Sequence, residues 1–324
     1  MELKPGSLGF CCALLSVGAV SDVLPSDFHI RIDNLHGLGG FVWAHDASSS
    51  NPTYGDPTSE LAYKNSASNV LRLSISAPMP NERLAHYWVS SGQLAGGSLR
   101  DKDWYSDAHA EALVGPTLFS DTTSDLNSGD YFDIGLSISQ PVIERQTSTL
   151  WWVFDASYVT EQLHAYGATL LADPYADYTV SVGSELVPST QAVISQEFSF
   201  ASLGIGIRAE WAPAARWLLS MQGMVRPLVS LYGEDVHHLR TDLGRPSVIH
   251  RGVGGGVAGT ANLTYMITDR WAAILGIEST TMALWSGNAT LYTSTGYPTQ
   301  PYPLRSFDYH RAQWQLGVQY RLTR

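Results

Sequence analysis

Beyond position 12 the sequence contains no cysteine, because Cys11 and Cys12 are its only two. Disulfides, thiol nucleophiles and cysteine-based metal sites are thereby excluded from the rest of the chain. Charge is scarce as well, at 15% Asp, Glu, Lys and Arg, where a soluble domain usually carries about 25%. No apolar run of about 18 residues follows the first twenty positions, which excludes membrane-spanning helices there. Basic residues are outnumbered, 19 Lys and Arg against 30 Asp and Glu, for a net charge of −11. That balance excludes nucleic acid as a partner, since binding phosphates takes Lys and Arg. It suits a cationic partner instead.

The N-terminus reads as an export signal spanning residues 1–19. Lys4 supplies the positive end, Leu8 to Val20 the short apolar stretch, and Val17-Gly18-Ala19 a small-residue cleavage site. Phe10 before Cys11 is too bulky for a lipoprotein box. The remainder, 20–324, shows no linker or composition break and reads as one domain.

The recurring signal in that domain is alternation with period two. Ala312, Trp314, Leu316, Val318, Tyr320 and Leu322 interleave with Arg311, Gln313, Gln315, Gly317, Gln319 and Arg321. Leu203, Ile205, Ile207, Ala209 and Trp211 alternate with Ser202, Gly204, Gly206, Arg208 and Glu210 in the same way. So do Phe132, Ile134, Leu136 and Ile138 with Asp133, Gly135, Ser137 and Ser139. One face of each run suits lipid and the other a polar lumen. With 11% aromatic residues and few charges, the pattern predicts an all-β fold, an antiparallel transmembrane β-barrel. About ten strands are expected, over 29–44, 61–78, 84–99, 130–141, 149–171, 192–212, 215–232, 251–267, 271–291 and 307–322. Tight turns such as Met79-Pro80-Asn81-Glu82 and Thr268-Asp269-Arg270 alternate with long polar segments over 45–60, 100–129, 172–191, 233–250 and 292–306. Short periplasmic turns and long extracellular loops follow as the expected orientation, in the outer membrane. A ten-strand lumen is narrow, and Arg208, Glu210, Arg226, Gln313 and Gln315 fill it, which argues against a passive pore.

Two acidic clusters fall in segments read as loops on the same side. Asp101-Lys102-Asp103-Trp104 follows Gly96-Gly97, and Glu234-Asp235-Val236-His237-His238 lies in the fourth long segment. On extended backbone, Asp-x-Asp and Asp-x-His each put both groups on one face. In a ten-strand ring the two segments lie nearly opposite one another. An isolated Asp-x-Asp is ordinarily a solvated turn. Calcium is disfavoured because the twelve-residue EF-hand spacing is missing. Zinc is disfavoured because His237 and His238 are adjacent and no His-Glu-x-x-His occurs. Gly252-Val253-Gly254-Gly255-Gly256 reads as crowded barrel wall rather than a phosphate loop.

These motifs, with Ser59-Glu60-Leu61-Ala62-Tyr63-Lys64, resemble the omptin family of outer-membrane proteases. The resemblance implies a monomeric endopeptidase acting on extracellular peptides or host surface proteins, without metal or organic cofactor. His237, oriented by Asp235, would act as general base on a water, and Asp101 and Asp103 would hold that water. Omptins that cut beside basic residues carry pocket acids. Here those positions are Gly233, with Glu234 the nearest replacement, and the stretch Gly40-Phe41-Val42-Trp43. The family's lipopolysaccharide-binding arginines have no counterpart around Tyr158-Val159-Thr160-Glu161 or Gln196-Glu197-Phe198. Outer-membrane lipid is thus an expected partner without an identified site. The loss of the pocket acids keeps open a second reading, an inactive omptin-like barrel serving as a surface adhesin or receptor. The chain ends on Tyr320-Arg321-Leu322-Thr323-Arg324 and lacks a terminal Phe, leaving Tyr320 as the nearest substitute.

Overall fold

The computed structural model describes residues 27–50, 54–105, 117–173 and 180–323. The expected export signal lies outside the described residues. Eleven strand segments and, among the described residues, no helix make up the chain. They are β1 (Asp27–His45), β2 (Tyr54–Pro78), β3 (Leu84–Ala95), β4 (Ser98–Tyr105), β5 (Thr117–Arg145), β6 (Ser148–Ala172), β7 (Glu185–Ala214), β8 (Trp217–His237), β9 (Leu243–Met266), β10 (Trp271–Thr293) and β11 (Tyr302–Thr323). Every pairing is antiparallel, and β1 pairs with both β2 and β11, so the sheet closes on itself. β3 and β4 pair with the same two neighbours, β2 and β5, and form one wall strand broken at Gly96-Gly97. Counting them together gives the expected ten-strand barrel.

The alternation holds in three dimensions. On β11 Trp314, Leu316 and Val318 are exposed to the outside, while Arg311, Gln313 and Gln315 are buried in the lumen. Exposed Trp211, Trp217 and Trp271 mark the short-turn edge of the lipid-facing belt, and Tyr158, Tyr232 and Trp285 its other edge, as aromatic girdles do. Tyr320 packs on Trp271 at the lower girdle, ring centroids 4.7 Å apart.

The lumen is crossed by charge pairs. Arg72 on β2 reaches Glu278 on β10 (2.6 Å) and Asp133 on β5 (3.3 Å). Arg226 meets Asp155 at 3.3 Å, and Gln313 donates to Ser68 at 2.8 Å. Fully buried as well is Glu161 on β6, 1% exposed, which accepts from Arg311 (2.7 Å) and Tyr309 (2.6 Å) on the opposite wall. Breaking such a pair strands the surviving charge. Glu161→Gln is therefore expected to destabilise the barrel by about 3–5 kcal/mol, read as a lower denaturant midpoint in detergent micelles.

The strands run further than their sequence pattern suggests. Segments 54–60, 100–105, 117–129, 185–191, 233–237 and 243–250, read above as loop, are strand. Beyond the lipid belt both faces of the wall meet water or polar neighbours, so alternation fades although the backbone ladder continues. Asp101 and Asp103 therefore stand on β4, and Asp235 and His237 at the upper end of β8, not on loops. They rise above the belt at the long-loop end. There the outward residues turn polar, from Leu71 to Asn69 and Asn65 on β2 and from Phe132 to Asp130 on β5.

Candidate active site

Two backbone irregularities shape the wall that carries the acidic pair. The β1–β2 register shifts between Gly39 and Phe41. Asn65 takes φ 58°, and Gly96 and Gly97 take φ 70° and 87°. Asn and Gly tolerate that left-handed region best. A Cβ on Gly97 would also lie 2.2 Å from the Lys64 carbonyl oxygen. Bulges of this kind bend a strand and re-aim its side chains. Above the break, Asp101 and Asp103 face inward, whereas Arg100, Lys102 and Trp104 face outward.

That division settles two side chains. Lys102 turns to Glu60 (3.8 Å) and Arg100 bonds Asp121 (2.8 Å), so neither points into the mouth with the acidic pair. Asp103 instead sits in a row that crosses four strands, His45, Ser59, Asp103 and Ser120. Both serine hydroxyls donate to it, Ser120 at 3.2 Å.

The opposite wall is built by β7, β8 and β9. Asp235 pairs in register with Gln196 and Val248, and its side chain is completely buried. His237 Nε2 lies 3.3 Å from Asp235 Oδ1, an ion-pair contact too poorly directed to count as a hydrogen bond. The His237 amide, past the end of the β8–β9 ladder, donates to Ser247 Oγ at 2.9 Å, which anchors the strand end. The imidazole stays 21% exposed toward the mouth.

Beneath these groups lies an aromatic floor of Phe41, Trp43, Tyr63, Phe198 and Phe307, all at most 2% exposed. Phe41 lies against Tyr63 (4.4 Å) and Phe198 (4.7 Å), and Trp43 against His250 (4.3 Å). Gln196 ties floor to wall by accepting from Trp43 Nε1 (3.2 Å) and donating to the Glu234 carbonyl (3.0 Å).

Gly233 faces inward, where a Cβ would lie 2.2 Å from the Phe198 ring. Glu234 is not its replacement. It faces outward, bonded to the Tyr232 hydroxyl at 2.6 Å, because alternation puts it on the other face from Asp235. Glu197 stands beside it on β7, so the outer wall carries paired acids here. Trp43 and the Phe198 ring thus fill the space beside Asp235 with apolar surface.

The structure brings the four expected residues together across the mouth. The charges of Asp101 and His237 act on each other, and so do those of Asp103 and His237. Burial, reinforced by Asp103, pushes the Asp101 carboxyl up to about 8, and burial raises Asp103 as well. Two buried carboxyls this close resist losing both protons and titrate as a pair. Burial disfavours the His237 imidazolium, but Asp235 and then Asp101 outweigh it and raise the group to about 9. At neutral pH His237 therefore keeps its proton, and the Asp101–Asp103 pair resists giving up both of its own.

Further groups at the site escaped the sequence reading. His45, pushed down to about 4 by burial and then by His237, stays neutral at the rim. His250, pushed to about 3 by burial and then by His45 and His237, stays neutral in the floor. Gln196, Ser59 and Ser120 complete the set. Ser59 stands out only as part of the resembling motif, and His45, Ser120 and His250 fall in segments read as loop, so nothing in the sequence marks them as neighbours of the site. Among the described residues no group of three or more His, Cys, Asp or Glu could hold a metal ion.

The architecture matches a solved protein. The outer membrane protease OmpT from Escherichia coli superposes with a TM-score of 0.70, at 14% identity over 93% of this chain and 99% of that one. The chain has the fold of an omptin. Weaker likenesses run to the translocator domain of autotransporter NalP from Neisseria meningitidis (TM-score 0.35, 10% identity, 90% of this chain and 88% of that one). Another is OprG from Pseudomonas aeruginosa (TM-score 0.31, 9% identity, 93% and 98%). Both scores are too low to indicate a shared topology. No protein-family model matches the sequence, and no curated protein sequence matches it significantly.

Proposed function

We propose that the protein is an outer-membrane endopeptidase whose mouth faces the cell exterior and hydrolyses peptide bonds of exposed polypeptides. The observation that supports this most is the arrangement of charge over the aromatic floor. A buried Asp235–His237 ion pair faces a buried, proton-sharing Asp101–Asp103 pair. A water between the walls is positioned by the acidic pair and gives its proton to neutral His237. Its oxygen then attacks the scissile carbonyl carbon. Asp235 fixes the imidazole and stabilises the imidazolium that forms. The proton then passes to the departing amine, and no side chain becomes bonded to substrate. The likeness to OmpT, titled an outer membrane protease, is consistent with this reading.

The full chain, folded in detergent or lipid, is expected to cut a diverse peptide pool. Intact peptides throughout the range from neutral to strongly alkaline pH would reject the proposal. They would favour the adhesin reading, to which the missing pocket acids lend support. The cut sites are expected to show no enrichment of Lys or Arg, because Trp43, Gly233 and Phe198 present apolar surface beside Asp235. Mass-spectrometric mapping of the termini reads this out. A strong bias to basic residues would mean that another acid forms the pocket.

A further inference from the structure

Tyr63 is a polar side chain at the base of the mouth for which the reaction above has no use. It faces inward on β2, opposite Phe41 on β1 and Leu99 on β4. Asp101 stands two residues above Leu99 on the same face, so the two side chains are diagonal neighbours across one strand pairing. The β1–β2 register shift and the Asn65 turn, both adjacent to Tyr63, are the local features that aim it there.

The residue is 0% exposed, with its ring tilted against Phe41 and its hydroxyl buried without a protein partner. Around the mouth, Asp101 Oδ1 and both carboxylate oxygens of Asp235 also lack a hydrogen-bond partner, the contact of Asp235 Oδ1 with His237 being an ion pair. The charges of Asp235 and Asp101 both act on the phenol. Buried polar atoms without partners are uncommon, and a cluster of them usually has a common role. The three carboxyl oxygens are acceptors once ionised, and the phenol is the donor among them. Phe41, Phe198 and Phe307 around it have none to give, and another unpartnered donor at the site is the single N–H of neutral His250, packed on Trp43.

We propose that Tyr63 is a positioning residue that donates its hydroxyl hydrogen, through one bridging water, to the Asp235 and Asp101 carboxyls and so couples the two walls of the mouth. The bridging water meets three polar groups, the usual number for a buried water. Tyr63 does not touch substrate. It holds Asp235 from below as His237 holds it from above, which gives the imidazole a fixed partner. The inference rests on the hydrolytic reading for its purpose but not for its test.

Other ionisable groups whose charges act on this cluster include His45 on β1, Asp103 on β4, Asp121 on β5, His237 and His238 at the end of β8, His250 on β9 and Arg240 beyond β8. None of them changes in Tyr63→Phe, which keeps the ring against Phe41 and removes only the donor. Losing a hydrogen bond to the ionised form makes a carboxylate more basic. The alkaline titrations of the cluster should then move to higher pH by about one unit. They are read in the full chain as the pH dependence of the His237 ring resonances and as the rising limb of peptide cleavage. Tyr309→Phe, which loses its bond to Glu161 deeper in the lumen, should leave both where they are. Titrations of Tyr63→Phe that coincide with the parent's would overturn the proposal, and so would an equal shift in Tyr309→Phe. If the parent cleaves nothing, the resonance titration still decides the role of Tyr63, so the two failures are distinguishable.

Discussion

The His237→Ala substitution is expected to lower kcat/KM for peptide cleavage by about 10³-fold, the usual scale for removing a positioned base. The pH dependence carries more information than the loss itself. In the parent His237 is raised to about 9 by Asp235 and Asp101 against the effect of burial. Its base form is therefore scarce at neutral pH and grows as pH rises through about 9, so the parental rate should climb over that interval. The residual rate of His237→Ala should lack that limb. If the imidazolium served instead as an acid, with Asp103 as base, the parental rate would fall over the same interval. Rates measured from pH 6 to pH 10 separate the two roles.

Stability moves in the opposite direction. A histidine raised in the folded state contributes stability that is fully present below its ordinary 6.5 and lost as pH passes about 9. The alanine variant also leaves Asp235, 0% exposed, without its counter-charge, which costs up to about 3–5 kcal/mol. Retention of the folded barrel, judged by heat-dependent gel mobility, has to accompany the loss of activity for the assignment to His237 to stand.

The parts of this fold that were legible in the sequence are those where lipid imposes a rule. On β11, polar lumen and hydrocarbon demand opposite side chains at successive positions, so Arg311 to Leu322 reads directly as strand. Above the belt the rule lapses. Asp101-Lys102-Asp103 looks like a solvated loop because every residue is charged. It is a strand because Lys102 finds Glu60 outside while the aspartates face the mouth. The same cause hid the upper ends of β5, β7 and β9. The facing of the four candidate residues was legible because spacing i, i+2 survives on any extended backbone, and β4 and β8 do lie four wall strands apart.

His45 and His250 were not legible, nor was the place of Tyr63 at the site, although Tyr63 stands in the resembling motif. They come from β1, β2 and β9 and converge only through register, which a one-dimensional pattern does not contain. The misreading of Glu234 has a simpler origin. Adjacency in sequence suggested it as a substitute for an acid at 233, yet adjacent residues on a strand face opposite ways.

The Asp101→Asn substitution is expected to lower cleavage about 10²-fold while making the folded barrel more resistant to alkaline unfolding. Burial holds the Asp101 carboxyl up near 8, with Asp103 and Asp235 adding to the effect and His237 opposing it. A carboxyl raised in this way contributes its stability below its ordinary 3.8 and loses it as pH rises through about 8, because the folded state must then accommodate a buried anion. The asparagine side chain has no such proton to lose, so the variant escapes that decline: its advantage over the parent should grow as pH rises from the ordinary 3.8 to about 8 and stay level above that. The same change removes a negative neighbour that helps raise His237. Whatever cleavage remains should therefore begin its climb at lower pH than in the parent. A single substitution thus predicts three signs: slower cleavage, an earlier rising limb and greater alkaline stability. Denaturant midpoints in micelles from pH 6 to pH 10, taken beside the rate profile, test all three. An Asp101→Asn variant that loses activity and also loses stability throughout would place Asp101 among the structural carboxylates of the wall. Gain of stability with loss of rate is the pattern of a residue held at a cost to the fold for the chemistry it serves.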